Sequence, residues 1–177
     1  FQVLSVNYAG LALIALGGVA GLWLGWRERG RRPAFALAIQ GGAIGVLLLT
    51  VFAAFRLYQL LPAGFAFSLF VLLVAGAALL AILQDAIALA VLGIVGGFLA
   101  PVLISTGSGN HVALFSYYAL LNAAVLWIAW IRPWRILNLI GFAFTFGIGT
   151  LWGAKYYRPE LFGSVEPFLV LYFLFYV

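Results

Sequence analysis

The sequence predicts an all-α fold, a polytopic transmembrane helix bundle that crosses a bilayer about seven times, and three observations predict it. Hydrophobic residues make up 67% of the chain and charged residues 7%, where soluble domains carry about 45–50% and about 25%. Mean hydropathy is +1.20. Apolar runs recur between short polar breaks, each run close to the roughly 20 residues a helix needs to cross about 30 Å of hydrocarbon. The runs are continuous rather than alternating over about ten residues, which excludes barrel strands.

The first segment, about residues 4–26, ends in a basic turn that holds Arg27, Arg29, Arg31, Arg32 and Pro33. The second covers about residues 34–55 and ends at Arg56, with Pro62 and Gly64 turning the chain. Segments three (about 65–83) and four (about 86–104) meet in a tight hairpin at Gln84 and Asp85. Asp85 directly precedes a helix, where a carboxylate accepts from unpaired N–H groups, so capping is expected of it rather than a proton relay. Segment four contains Gly93, Gly96, Gly97 and Pro101 and empties into the polar loop 105–111. Segments five (about 112–131) and six (about 136–154) are separated by Arg132, Pro133, Trp134 and Arg135. Pro159 and Glu160 suit the first turn of a short interfacial helix over 158–162. The seventh segment starts near Pro167 and holds eleven residues. That is about 16 Å of helix against about 30 Å of hydrocarbon, so residues 1–177 are read as one transmembrane domain cut from a longer membrane protein.

Basic residues gather on the cytoplasmic side of membrane proteins. Six of them lie in the loops after segments one, three and five, against three after two, four and six. This places the turn at residues 27–32 in the cytoplasm and the loop 105–111 in the periplasm. Aromatic rings that prefer the headgroup level flank the same ends: Trp23 and Trp26, then Trp127, Trp130 and Trp134, then Trp152, Tyr156 and Tyr157. Glycines four apart (Gly17, Gly21 and Gly25; Gly41 and Gly45; Gly149 and Gly153) are expected to let helices approach closely.

Few side chains can carry chemistry. Cysteine is absent and His111 is the sole histidine, which excludes thiolate sites, disulfides and multi-histidine metal sites within these residues. No metal, cofactor or nucleic-acid partner is expected. The most suggestive feature is segment four with its outlet, because glycine and proline interruptions beside a polar loop are how transporters build broken helices around a site. A polar cavity formed by Pro101, Ser105, Asn110, His111 and Asn122 is the corresponding expectation. A kinked helix, a Gly-Ser turn and Asn110 capping segment five account for the same residues, and the residue types favour that plainer reading. Histidine can respond to pH near neutrality, but an interfacial hydrogen bond to the loop or to headgroups is the favoured role for His111. Ser105 and Ser108 beside it lack a carboxylate to orient the imidazole as a catalytic triad requires. Gln40, Asn122 and Asn138 lie in or at the edge of spans and are expected to join helices by hydrogen bonds worth under about 2 kcal/mol each. Arg27, Arg29, Arg31 and Arg32 would contact lipid headgroups at about 1 kcal/mol per charge. Arg56 would reach the headgroups by snorkelling.

The stretches Gly96-Gly97-Phe98-Leu99-Ala100-Pro101-Val102-Leu103, Asn138-Leu139-Ile140-Gly141-Phe142 and Tyr157-Arg158-Pro159-Glu160-Leu161-Phe162, with the loop Ser105-Thr106-Gly107-Ser108-Gly109-Asn110-His111, resemble a family of long multi-spanning bacterial inner-membrane proteins, domain of unknown function 2339. The likeness covers most of the chain and is strongest from Arg56 onward. It implies a bacterial inner membrane and further spans, and it brings no catalytic residues. A non-enzymatic scaffold or a transport component for an envelope or lipid-like molecule is the function these observations favour. The alternative is an intramembrane enzyme acting on a lipid-linked substrate at the outer face. Expected partners are membrane lipids and the rest of a longer chain or other membrane subunits.

The orientation is testable with single cysteines at Arg29 and at Ser108. In intact cells an impermeant maleimide should label the cysteine at 108 and not the one at 29; the reverse pattern inverts the topology.

Overall fold

Each break in the sequence ends a helix by a recognisable device. The computed structural model describes residues 2–104 and 111–177. In chain order the helices are α1 (Gln2–Glu28), α2 (Pro33–Phe52), α3 (Ala63–Gln84), α4 (Ile87–Ile104), α5 (His111–Ile131), α6 (Arg135–Tyr156) and α7 (Phe162–Tyr176). Pro33 opens α2 at its first turn, where a missing N–H costs nothing. The turn before it closes on Glu28, whose carbonyl accepts from Arg31 at 3.0 Å and Arg32 at 2.9 Å. The last turn of α2 widens into a π-helical segment, Ala53–Leu57, which carries the exposed Arg56. Asp85 ends α3 in the left-handed region at φ 53. The next N–H, from Ala86, then reaches back to the Ala81 carbonyl at 2.9 Å, the bonding of a helix C-terminus that glycine or asparagine usually provides.

Five of these helical stretches are long and apolar enough to cross a membrane among the described residues, and Ile87–Leu103 is apolar but shorter. The chain is therefore a polytopic helical bundle with no strand among the described residues. The seventh helix differs from its sequence expectation. It begins at Phe162, directly after a 3-10 turn at Pro159–Leu161, and contains Pro167 within its first two turns. Pro159 supplies the start instead, and fifteen residues of α7 span about 22 Å.

Two compact units divide between Gly96 and Gly97. In the first, α1 lies so close to α2 that side chains do not fit. A Cβ on Gly25 would fall 2.5 Å from Gln40 Cγ and 2.9 Å from the Ala36 carbonyl, and one on Gly18 would fall 2.7 Å from Leu47 Cγ. The glycine stripe is thus Gly18, Gly21 and Gly25; Gly17 meets open space, as does Gly45. A spacing of three followed by four keeps residues on one helix face as well as two spacings of four. Several polar side chains of this unit bond within it, although the buried Gln40 Nε2 has no hydrogen-bond partner. Gln84 donates to the fully buried Gln40 at 2.7 Å, joining α3 to α2. Thr50 and Ser68 donate to the carbonyls four residues before them.

The second unit is organised by α5. Pro101 sits inside α4, which stays helical through Gly97 and on to Ile104 rather than unwinding. Lacking an N–H, Pro101 cannot bond the carbonyl of Gly97 four residues back. The Tyr117 hydroxyl of α5 donates to that carbonyl at 2.9 Å, and Tyr118 donates to the next one, Phe98, at 3.0 Å. One helical turn further along, buried Asn122 donates to Thr145 of α6 at 2.8 Å and accepts from Tyr176 of α7. Gly141 makes room for this meeting, since a Cβ there would lie 2.7 Å from the Tyr176 hydroxyl. Tyr172 of α7 adds a bond to the Phe115 carbonyl at 2.7 Å.

If Tyr117 replaces the donor that proline removed, Tyr117→Phe should destabilise the protein by about 1 kcal/mol, the scale of a hydrogen bond within a membrane bundle. In a Pro101→Ala background the helix bonds Gly97 itself, so the same substitution should cost clearly less. Reversible unfolding of the four proteins in mixed micelles measures the coupling, and equal losses in both backgrounds would separate the two residues.

Candidate functional site

Helices α6 and α7 both pack on α5 but make few contacts with each other. Between their connection and the Tyr176 ring, which packs on Phe142 at 5.4 Å and Phe146 at 6.1 Å, they leave a groove of about 270 Å³, close to the lower end of the roughly 300–1,000 Å³ usual for ligand sites. Its floor is Phe115 of α5 with Thr145 and Tyr172. Phe146, Gly149, Trp152 and Gly153 of α6 form one wall; Val165, Phe168 and Leu169 of α7 form the other. Tyr157, Phe162 and Glu166 line it near the connection between the two helices, and Glu166 is the one charged residue of the lining. The width on the α6 side comes from glycine. A Cβ on Gly149 or on Gly153 would meet nothing within 4 Å, so this pair opens a groove instead of admitting a neighbouring helix.

Aromatic packing makes the floor rigid. Phe115 meets Trp152 edge-on at 5.1 Å, Phe168 at 5.7 Å and Tyr172 edge-on at 6.3 Å, within the range of favourable ring pairs. Trp152 therefore departs from its sequence expectation as a headgroup anchor: it is buried, because α5 and His111 cover it. Trp127 and Trp130, by contrast, are exposed at 71% and 90% and remain free to meet lipid.

His111 is the first residue of α5. Its Nε2 lies 2.8 Å from the Ser164 hydroxyl of α7, and its ring lies 5.3 Å from Trp152. Ser164 in turn donates to the Leu161 carbonyl at 2.9 Å. With that proton directed at Leu161, Nε2–H is the donor to serine, which is the opposite polarity to a serine nucleophile and its base. The pair ties α5 to the start of α7. Asn122 occupies the three-helix junction described above, and Pro101 lies within α4; neither lines the groove. Ser105 and Asn110 lie outside the described residues, so the cavity expected around them is not visible as a unit. Among the described residues no three His, Asp or Glu side chains gather as a metal site would require.

A second surface lies in the other unit. The guanidinium of Arg29 stacks 3.6 Å from the Trp26 ring centre and donates to the Trp26 carbonyl at 2.8 Å, and Arg27 lies 5.4 Å over Trp23. Arg27, Arg29, Arg31 and Arg32 are all exposed.

The pattern of a known family covers residues 3–177, nearly the whole chain. The chain belongs to the DUF2339 family of predicted membrane proteins. No curated protein and no solved structure matches it. The resemblance noted in the sequence is thus confirmed, and the DUF2339 chain is a membrane protein by family as well as by fold. Sequence reasoning had not found the groove. Gly149 with Gly153 reads from the sequence as a packing pair; the acid Glu166 beside an apolar run is the available signal.

Proposed function

We propose that this DUF2339 protein is a non-enzymatic component of the bacterial cytoplasmic membrane that holds a lipid-like molecule between α6 and α7. One observation carries the reading: between α6, long and apolar enough to cross a membrane, and the shorter α7 lies an apolar, aromatic-floored groove of about 270 Å³. Hydrocarbon fills such a space at no desolvation cost, whereas water would find few polar partners there. The rigid floor and the glycines of α6 keep the space open without a ligand to hold it. In this reading the basic turn rests on anionic headgroups at the cytoplasmic face, where stacking on Trp23 and Trp26 restrains Arg27 and Arg29. Arg56 serves the opposite headgroup layer, and the Ser105–His111 loop faces the periplasm. Transport of the bound molecule and scaffolding around it both follow from the same binding.

Trp152 lies in the groove wall and can report on its contents. In a variant keeping Trp152 alone, with the other five tryptophans replaced by phenylalanine, brominated acyl chains in phosphatidylcholine vesicles should quench its fluorescence. Gly149→Leu with Gly153→Leu, which fills the groove, should relieve most of that quenching. Quenching that is absent, or that persists undiminished in the filled variant, would contradict the reading.

A further inference from the structure

Resting on that reading, we propose that the groove selects a lipid whose headgroup carries a primary ammonium, recognised by Glu166 and Tyr157. Glu166 is the only charged residue among those lining the groove. The lining residues within about one turn of it on α7, Phe162, Val165, Phe168 and Leu169, carry no side-chain hydrogen-bond donor. A carboxylate at the edge of the hydrocarbon is costly unless it meets a cation or water. Among the described residues, no Lys or Arg forms an ion pair with it. The two cations nearest in sequence are Lys155 and Arg158; neither lines the groove, and Lys155 is directed over the Tyr156 ring at 5.2 Å. The site therefore offers one negative charge at the head of an apolar channel, complementary to one positive charge at the head of an acyl chain.

The form of that cation follows from the acceptors. A primary ammonium brings three N–H donors, as a lysine side chain does. The Glu166 carboxylate and the phenolic oxygen of Tyr157, both in the lining, are the acceptors available to them. A trimethylammonium headgroup donates nothing to either oxygen. A glycerol headgroup has no cation at all, and its lipid would bring a bare phosphate charge towards the carboxylate. Affinity should therefore fall from phosphatidylethanolamine to phosphatidylcholine to phosphatidylglycerol.

The full chain with Trp152 as its sole tryptophan tests this. Brominated-chain phosphatidylethanolamine, phosphatidylcholine and phosphatidylglycerol are compared at equal mole fraction in a common unbrominated phosphatidylcholine host. The ethanolamine lipid should win over the glycerol lipid by about threefold to fivefold, the scale of one partly solvated ion pair. Glu166→Gln should abolish that preference while leaving quenching by the chain itself, and Tyr157→Phe should reduce it. Equal quenching by all three lipids, or a preference that survives Glu166→Gln, overturns the headgroup assignment while leaving the groove occupied. Quenching by no lipid beyond that of the filled variant overturns the groove reading as well. Free ethanolamine in the aqueous phase should leave the quenching unchanged; displacement by it would overturn the assignment to a lipid.

Discussion

Within hydrocarbon every backbone N–H and carbonyl has to find a partner inside the protein, and α4 breaks that requirement at a known place. Pro101 leaves the Gly97 carbonyl without its helical donor, and the Tyr117 hydroxyl of α5 replaces it at 2.9 Å. The replacement has consequences beyond one bond. It fixes the rotation of α5 about its own axis, because Tyr117 and Tyr118 must both face α4. With that face set, Asn122 and the Phe115 carbonyl are presented to α6 and α7. The arrangement of the last three helices is thus tied to a proline on the fourth.

The groove is the other side of this arrangement. α6 is held to α5 through Asn122 and Thr145, while α7 is held through Tyr172, Tyr176 and the His111–Ser164 bond. Both helices are thereby fastened to a common neighbour, and neither is fastened to the other along the stretch where Gly149 and Gly153 stand opposite Val165 and Leu169. In water such a gap would close to bury apolar area. In lipid the hydrophobic drive between helices is missing, so a gap the width of a chain can persist.

Much of this was legible from residue order, and the part that was not has a physical cause. Helix starts follow from local chemistry at Pro33 and Pro159, which each act within a turn of themselves; Asp85, expected to cap the following helix, closes α3 from the left-handed region. The start of α7 differs from the sequence reading, since Pro167 has the signature of a helix start but Pro159 already provides one. Asn122 was recognisable as a residue that joins helices, since a buried amide in an apolar span must bond something. Its partners were not, because Thr145 and Tyr176 lie 23 and 54 residues away and reach it only through tertiary packing. Pro101 was legible as an interruption, but its remedy is on another helix. The groove was the least legible feature, because it is made by a gap between two helices that both pack on α5 rather than by any motif. Gly149 and Gly153 carry the same spacing whether a neighbour packs on them or a ligand does.

A structure of the protein in lipid nanodiscs containing phosphatidylethanolamine tests the central claim most directly. The account predicts elongated density between α6 and α7, running along Phe146, Trp152 and Leu169 with its polar end at Glu166. Helices α6 and α7 found closed against each other, with Gly149 and Gly153 packed on α7 and no density between them, would contradict it.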